Sequence, residues 1–437
     1  MTRREFLEKS AVLGAGLTMS PLMVRMSAKN VGANDKIHVG LIGCRSQGFG
    51  DLNAFLGNPD VDCIALCDVD NGILEQRAAD VEKIQGKKVK HLYKDWRKLI
   101  DNKDIDVVII GTPDHWHCLQ LVAACEAGKD VYCEKPLGNS IEECNIMVRA
   151  AEKYNRIVQV GQWQRSDPHW QDAMAFVHSG KLGKIRTVRV FSYQGWCPSI
   201  PVQPDQPVPD GVDYDMWLGP APLRPFNPNR FHFTFRWFWD YAGGLMTDWG
   251  VHLLDYALYG MNVTAPDSIM ASGGKFGYPD DACETPDTLQ TIYTFPDFTV
   301  MWDHAIGIDD GAYGRNHGLG FVGENGTLVV DRRGWEVIPE NVNNVARMEA
   351  VPLHKQYGDG GLSLHVKNHL DCIKSRNPNC NASIQIGAHI AKFAHLGNIA
   401  YRTGKKLSWD GTTFHDAEAD SYLCKPYRDP WKLPVIL

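Results

Sequence analysis

The sequence predicts an α/β chain that opens on a doubly wound, mostly parallel sheet. Three observations predict it. Short apolar runs alternate with helical segments between residues 36 and 160, a glycine-containing turn follows the first run, and an acid closes the second. Strands of such a sheet are covered on both faces, so they read as continuous apolar runs.

The first strand is Ile37-His38-Val39-Gly40-Leu41-Ile42. Gly43-Cys44-Arg45-Ser46-Gln47-Gly48 forms the turn, and a helix follows to the region of Phe55. Backbone N–H groups at a helix N-terminus bind pyrophosphate. The second strand, Cys63-Ile64-Ala65-Leu66-Cys67, delivers Asp68, where a carboxylate can take ribose hydroxyls. This order predicts a dinucleotide site built from Gly43, Arg45, Ser46, Gln47, Gly48 and Asp68. Arg45 stands where the middle glycine of Gly-x-Gly-x-x-Gly is usual. It either crowds the phosphates or offers them a guanidinium. Asp68 should repel a 2′-phosphate, so NAD is favoured over NADP.

Asp106 to Ile110 is the next strand, running into Thr112, Pro113, His115 and His117. A helix from Leu119 to Ala127 closes at Gly128. Asp130-Val131-Tyr132 leads into Cys133-Glu134-Lys135-Pro136, and Arg156 to Val160 leads into Trp163 and Arg165. Open α/β sheets bind ligands at the carboxyl ends of their strands. Thr112, Pro113, His117, Glu134, Lys135 and Trp163 therefore gather at one crevice. A cation at Lys135 would sit beside a nicotinamide ring and a substrate hydroxyl together.

About a hundred residues on, Gly243-Gly244 reads as a hinge entering a helix. Asp248 and His252 are four apart and share a face, which Asp255 extends; Val251, Leu254 and Leu258 form a separate apolar stripe. Alone, these would be a solvated or buried Asp–His pair. With a dinucleotide fold and Lys135 upstream, a shared alcohol-oxidising site is the better reading. His252 suits proton transfer near neutrality. Lys135 can stabilise a developing alkoxide. Asp248 orients His252 or binds a neighbouring hydroxyl. Which of Lys135 and His252 takes the proton is left open by the sequence.

These motifs together resemble the glucose–fructose oxidoreductase, inositol 2-dehydrogenase and MocA family. The matching features are the glycine turn, Thr112-Pro113 with His117, Glu134-Lys135-Pro136, and Asp248-x-x-x-His252 after Gly243-Gly244. The tail matches too, with Cys372-Ile373-Lys374-Ser375 and His395-Leu396-Gly397-Asn398. The resemblance implies an N-terminal Rossmann domain and a C-terminal α/β domain with a large, open, mostly antiparallel sheet. It implies catalytic roles at Lys135, Asp248 and His252, and a homo-oligomer, dimer or tetramer, formed through that sheet. Arg45 is the main departure. Relatives with NAD-dependent glycosidase chemistry often alter the Glu-Lys-Pro motif, so its presence weighs towards net oxidoreduction.

Composition agrees. The 437 residues allow two domains and a substantial core. A net charge of −7 without a basic block past the N-terminal segment argues against nucleic-acid binding. The 12 cysteines form no paired Cys-x-x-Cys array, and a cofactor-side or packing role is favoured over ligation for His115 and His117, so no metal is expected. Cys372 and Cys380 flank a turn and could pair, although buried thiols are the favoured reading. Seven tryptophans lie from Trp163 to Trp249, interleaved with Arg165, Arg230, His232 and Arg236. One or two rings should meet the C–H faces of a sugar, with Trp163, Arg165 and Arg236 the substrate candidates. Pro198 to Pro209 reads as a long surface loop, a lid or an oligomer arm.

At the start, Arg3-Arg4-Glu5-Phe6-Leu7 precedes a short, interrupted apolar run from Ala11 to Val24. This reads as a twin-arginine export signal cleaved near Val31-Gly32-Ala33 or Ala28, leaving no membrane anchor. The expected organisation is a signal over 1–33, a Rossmann domain over 34–160 and a substrate and oligomerisation domain over 161–437. The expected product is a periplasmic or otherwise exported NAD(H)-dependent oxidoreductase. It would act on a secondary hydroxyl of a sugar or glycoside, with a tightly held, internally recycled cofactor. The alternatives are a redox-assisted glycoside hydrolase or lyase, and a non-catalytic sugar-binding relative.

Overall fold

In a computed structural model the chain is described over residues 36–356 and 358–436; the twin-arginine segment and its cleavage sites lie outside the described residues. The first sheet holds β1 (Ile37–Ile42), β2 (Val61–Cys67), β3 (His91–Tyr93), β4 (Val107–Ile110), β5 (Asp130–Cys133) and β6 (Val158–Val160). Its order is β3-β2-β1-β4-β5-β6, and every pair is parallel. Strand order reverses between β1 and β4, which opens a crevice at their carboxyl ends. The turn after β1 and the loops after β2, β4, β5 and β6 all reach that side.

The second sheet is β7 (Ile185–Gln194), β8 (Ser268–Gly274), β9 (Thr288–Thr294), β10 (Thr299–Ile306), β11 (His317–Gly323), β12 (Gly326–Asp331), β13 (Gly334–Pro339) and two outlying strands. A two-stranded ribbon, β14 (Asn341–Val342) with β15 (Val345–Ala346), stands apart, and β16 (Val351–Lys355) and β17 (Leu407–Ser408) complete the nine-stranded order β16-β13-β12-β11-β7-β10-β9-β8-β17. Only β7 with β10 is parallel; the other pairs are antiparallel. The expected large, mostly antiparallel sheet is therefore present.

The helix Ile384–Thr403 fixes one sheet against the other. Its Ala388 and Ala391 join the core of the parallel sheet, while Ile390, Phe393 and Ala394 join that of the second. Gly387 makes this close approach possible, since a Cβ there would meet Val160 at 2.5 Å. The preceding helix, Leu362–Ser375, ends before the expected break at Arg376-Asn377-Pro378.

Two local expectations need correction. The helix after β4 starts at Asp114 instead of Leu119, so His115 and His117 are helical. Pro113 supplies the extended residue before it, and the Asp114 carboxylate suits the positive end of the helix. The glycine-hinged segment is two helices, Gly244–Asp248 and Gly250–Met261, joined at Trp249. Asp248 and His252 thus sit on either side of a junction and do not share one helix face.

Residues 195–242 form a long strap with its own aromatic core, including Trp217, Phe231, Trp237 and Tyr241. The strap ties onto the parallel sheet beside β2. Val212 bridges Asp70, Asn71 N–H donates to Gly211 O at 3.1 Å, and Asp213 N–H donates to Val69 O at 2.9 Å. All cysteines are free thiols, Cys372 and Cys380 included. No helix among the described residues is long and apolar enough to cross a membrane.

Candidate active site

A cavity of about 330 Å³ opens over the crevice. One end is built from the glycine turn. Gly43 takes φ 84°, and Gly48 packs so closely that a Cβ would meet Gly43 O at 2.3 Å and Gly111 Cα at 3.1 Å. Arg45 is the residue before the helix Ser46–Leu56, with φ −89° and ψ 165°. That is extended backbone open to any residue, so replacing the usual glycine strains nothing. The left-handed conformation falls on Ser46 instead, at φ 33°. No side chain caps this helix, and its first turn holds no acid. Its N–H groups are free for an anion.

Asp68 lines the same end, where its two oxygens accept N–H bonds from Cys44 at 2.8 Å and Asp70 at 3.0 Å. Burial raises its pKa against those bonds. Thr112 and Pro113 also line the cavity, and Thr112 Oγ1 donates to Gln120 Oε1 at 2.9 Å. His117 does not reach it. Its ring is buried between Pro136 O at 2.8 Å and Thr112 O at 2.9 Å, so it ties two cavity loops together from behind. Burial lowers its pKa. Gly48 likewise contributes by close packing outside the lining.

The other end gathers the catalytic candidates. Lys135 Nζ donates to Asp248 Oδ1 at 2.8 Å and to Asp248 O at 2.9 Å. Arg236 Nε approaches Asp248 Oδ1 at 3.2 Å. Burial pulls the Asp248 pKa up, but Lys135 and Arg236 overcome it and hold the carboxyl well below its ordinary range. His252 lines the same cavity with a tryptophan on each side, Trp163 at 5.8 Å and Trp249 at 6.5 Å between ring centroids. Its Nδ1 is buried without a partner. Burial, then the Lys135 and Arg332 charges, push its pKa well below 6.5, so the ring is neutral.

Glu134 adds a buried acid. It is paired with the buried Asp51 carboxyl, and burial, opposed by Lys135, pushes its pKa up to about 7. Asp51, pushed up by burial and then by Glu134, neighbours it. Gly161 is required here, because a Cβ would lie 2.1 Å from Glu134 Oε1.

Arg165 is elsewhere. Its Nε donates to Asp255 at 2.8 and 2.9 Å, and its guanidinium lies 4.8 Å over Tyr259, outside the cavity lining. Its assignment to substrate is corrected: a carboxylate 90 residues away claims it. Trp163, Trp196, Trp217 and Trp249 line the cavity, whereas Trp170 and Trp237 are core. The strap adds His232, Phe233 and Phe235 to the lining. Two residues gave no sequence signal: Asp114, pushed up to about 7 by burial, and Arg332, in the turn after β12. Tertiary packing alone brings them here.

The residues fit a dinucleotide. Glycines clear the path at the turn, a helix N-terminus is uncapped, and a carboxylate stands at the end of β2. At the far end, buried His252 Nδ1 lacks a protein partner. Among the described residues no group of three or more His, Cys, Asp and Glu could hold a metal.

Two family matches cover more than half of the chain. Residues 37–162 match the oxidoreductase family's NAD-binding Rossmann fold, and residues 171–297 match its C-terminal alpha/beta domain. Levoglucosan dehydrogenase of Pseudarthrobacter phenanthrenivorans is 39% identical over 102 residues, 23% of this chain and 26% of that protein. A glycosyl hydrolase family 109 protein of Shewanella sp. (strain W3-18-1) is 29% identical over 170 residues, 35% of this chain and 37% of that one. The chain thus spans about a quarter to a little over a third of these relatives' lengths. Among solved structures, levoglucosan dehydrogenase in complex with NADH and levoglucosan superposes with TM-score 0.64 at 20% identity, covering 86% of this chain and 99% of that one. Aldose-aldose oxidoreductase from Caulobacter crescentus complexed with glycerol gives 0.63 at 20%, covering 86% and 100%. At such identity these structures share the fold.

Proposed function

We propose, because this chain belongs to the glucose–fructose oxidoreductase, inositol 2-dehydrogenase and MocA oxidoreductase family and carries its NAD-binding Rossmann domain, that it oxidises a secondary hydroxyl of a sugar or glycoside. The observation that carries this reading is the contact of Lys135 Nζ with Asp248 Oδ1 at 2.8 Å in the cavity lined by His252. When bound, NAD supplies hydride acceptance and return. The turn of Gly43, Arg45, Ser46 and Gln47 holds its phosphates and Asp68 its ribose. Asp248 keeps Lys135 in place as a cation, which stabilises the alkoxide as the hydroxyl proton leaves. His252, neutral and lining the cavity, takes that proton. Arg236 and the indole of Trp163 hold the rest of the sugar.

The reading extends to a tightly held cofactor. The strap ties to Val69, Asp70 and Asn71 beside the ribose end, and this supports slow release. Export of the folded, loaded protein through the twin-arginine route is consistent with that, as is a homo-oligomer formed through the large sheet. The reading names no membrane anchor and no nucleic-acid partner. Its domains are those of the sequence, a signal to 33 and a cofactor domain to 160.

A second reading is favoured by the family 109 relative. A ketone formed transiently on the sugar acidifies the neighbouring C–H and permits loss of a glycosidic group. One experiment separates the readings. The purified protein is mixed with a sugar and glycoside panel while absorbance at about 340 nm is followed. Sustained reduction supports oxidoreduction, and a transient signal with released aglycone supports cleavage. Binding without either leaves a sugar-binding relative and removes the proposal.

A further inference from the structure

Among the described residues, Arg332 is a cation with no carboxylate in contact. Its guanidinium lies over both Trp163 and Trp249, 4.7 and 4.5 Å from the ring centroids. Nε donates to Gln164 Oε1 at 3.1 Å. No carboxylate among the described residues forms an ion pair with it. The adjacent Asp331 is taken by Arg315 at 3.0 Å and Arg333 at 2.8 Å. Asp248, the acid that acts on Arg332 through space, is already in contact with Lys135 and Arg236. Asp114 faces Arg236 and Lys135.

A largely desolvated guanidinium is costly unless it is paired. Burial has already pulled the Arg332 pKa down to about 10. Packing against two indoles alone could be done by an apolar side chain. A guanidinium held over two indoles, with Nε alone bonded to a neighbouring side chain among the described residues, has terminal N–H groups to offer, and a planar guanidinium edge is the geometry that takes a carboxylate in two parallel hydrogen bonds. Both indoles also flank His252, so that edge belongs to the reacting end of the cavity.

We propose that Arg332 is the recognition site for a carboxylate on the substrate, so that the sugar is an acidic one, a hexuronate or aldonate or a glycoside of these. The inference rests on the reading of this cavity as a sugar site and names the class of sugar. The purified protein, with whatever nucleotide it carries supplemented by NAD, is titrated with glucuronate, galacturonate and gluconate. Each is set beside its neutral counterpart, glucose, galactose and sorbitol. Indole fluorescence reads binding and absorbance at about 340 nm reads reduction. At least one acid is expected to bind about tenfold or more tightly than its neutral counterpart, with the advantage shrinking as salt rises. Arg332→Gln should abolish the advantage and Arg332→Lys should keep part of it, both with circular dichroism unchanged. If no acid exceeds its neutral counterpart, or if the advantage survives Arg332→Gln, the proposal is overturned. Tight acid binding with no oxidation of any sugar keeps the carboxylate site and removes the oxidoreductase reading. Oxidation of neutral sugars without acid preference does the reverse.

Discussion

In the proposed reaction Lys135 and His252 divide the chemistry by charge. The Lys135 ammonium is fixed on Asp248. Truncation to Ala should lower kcat by about 10²–10⁴-fold while nucleotide content, read by absorbance after denaturation, is retained. Loss of nucleotide with unchanged turnover per loaded site would contradict the assignment. As the proposed base, His252 would work in its neutral form, so activity is expected to fall as pH drops through its pKa in the folded protein. Burial, Lys135 and Arg332 lower that pKa, whereas Asp248 opposes them and His317 adds to the lowering. The acid limb of the kcat profile should therefore lie well below 6.5, with activity flat from about pH 8 to about pH 6. Removing the positive charge in Arg332→Gln should move that limb to higher pH. A profile already inflecting at the ordinary imidazole value, and insensitive to residue 332, would argue against His252 as the base.

At the scale of elements, the turn between β1 and its helix depends on the absence of a side chain at 48. Gly48→Ala puts a methyl into the carbonyl of Gly43, and backbone has to shift. A loss of about 1–3 kcal/mol in denaturant unfolding and a lower nucleotide content are expected. Unchanged nucleotide content would show that the phosphates are held elsewhere. The β1 turn, the acid after β2 and the loop after β5 were legible in the sequence because strand burial and turn chemistry are local. The pairing of Lys135 with Asp248 was legible only as two suitable residue types, since 113 positions separate them. The junction at Trp249 was not legible, because the 3.6-residue pattern continues across it. Arg165 reads as a substrate residue in sequence but is claimed by Asp255, and Arg332 carries no sequence signal at all, since the two indoles it meets are far away in the chain. In both cases the deciding neighbours come from distant strands and helices.

At the scale of the molecule, the helix Ile384–Thr403 and the strap hold the cofactor fold and the second sheet in one arrangement. Trp217 anchors the strap. It is buried, its ring lies 4.9 Å from Tyr241 and 5.2 Å from Phe231, and its carbonyl accepts the Trp116 indole N–H at 3.0 Å. Trp217→Ala should cost about 3–5 kcal/mol in unfolding experiments. It should also speed nucleotide loss during gel filtration if the strap retards escape. Equal retention in the variant and the parent would remove the strap from that role.

The ties between Val212 and Asp70 have one more consequence. They sit on the Asp68 side of the crevice, so if the strap is what retards the coenzyme, the gate and the place where bonds change are not the same. If that gate stays shut between turnovers, electrons withdrawn from one guest can be repaid only to another guest, or to the same one before it departs. Such a protein would behave as a shuttle between organic molecules, blind to the redox state of the solution around it.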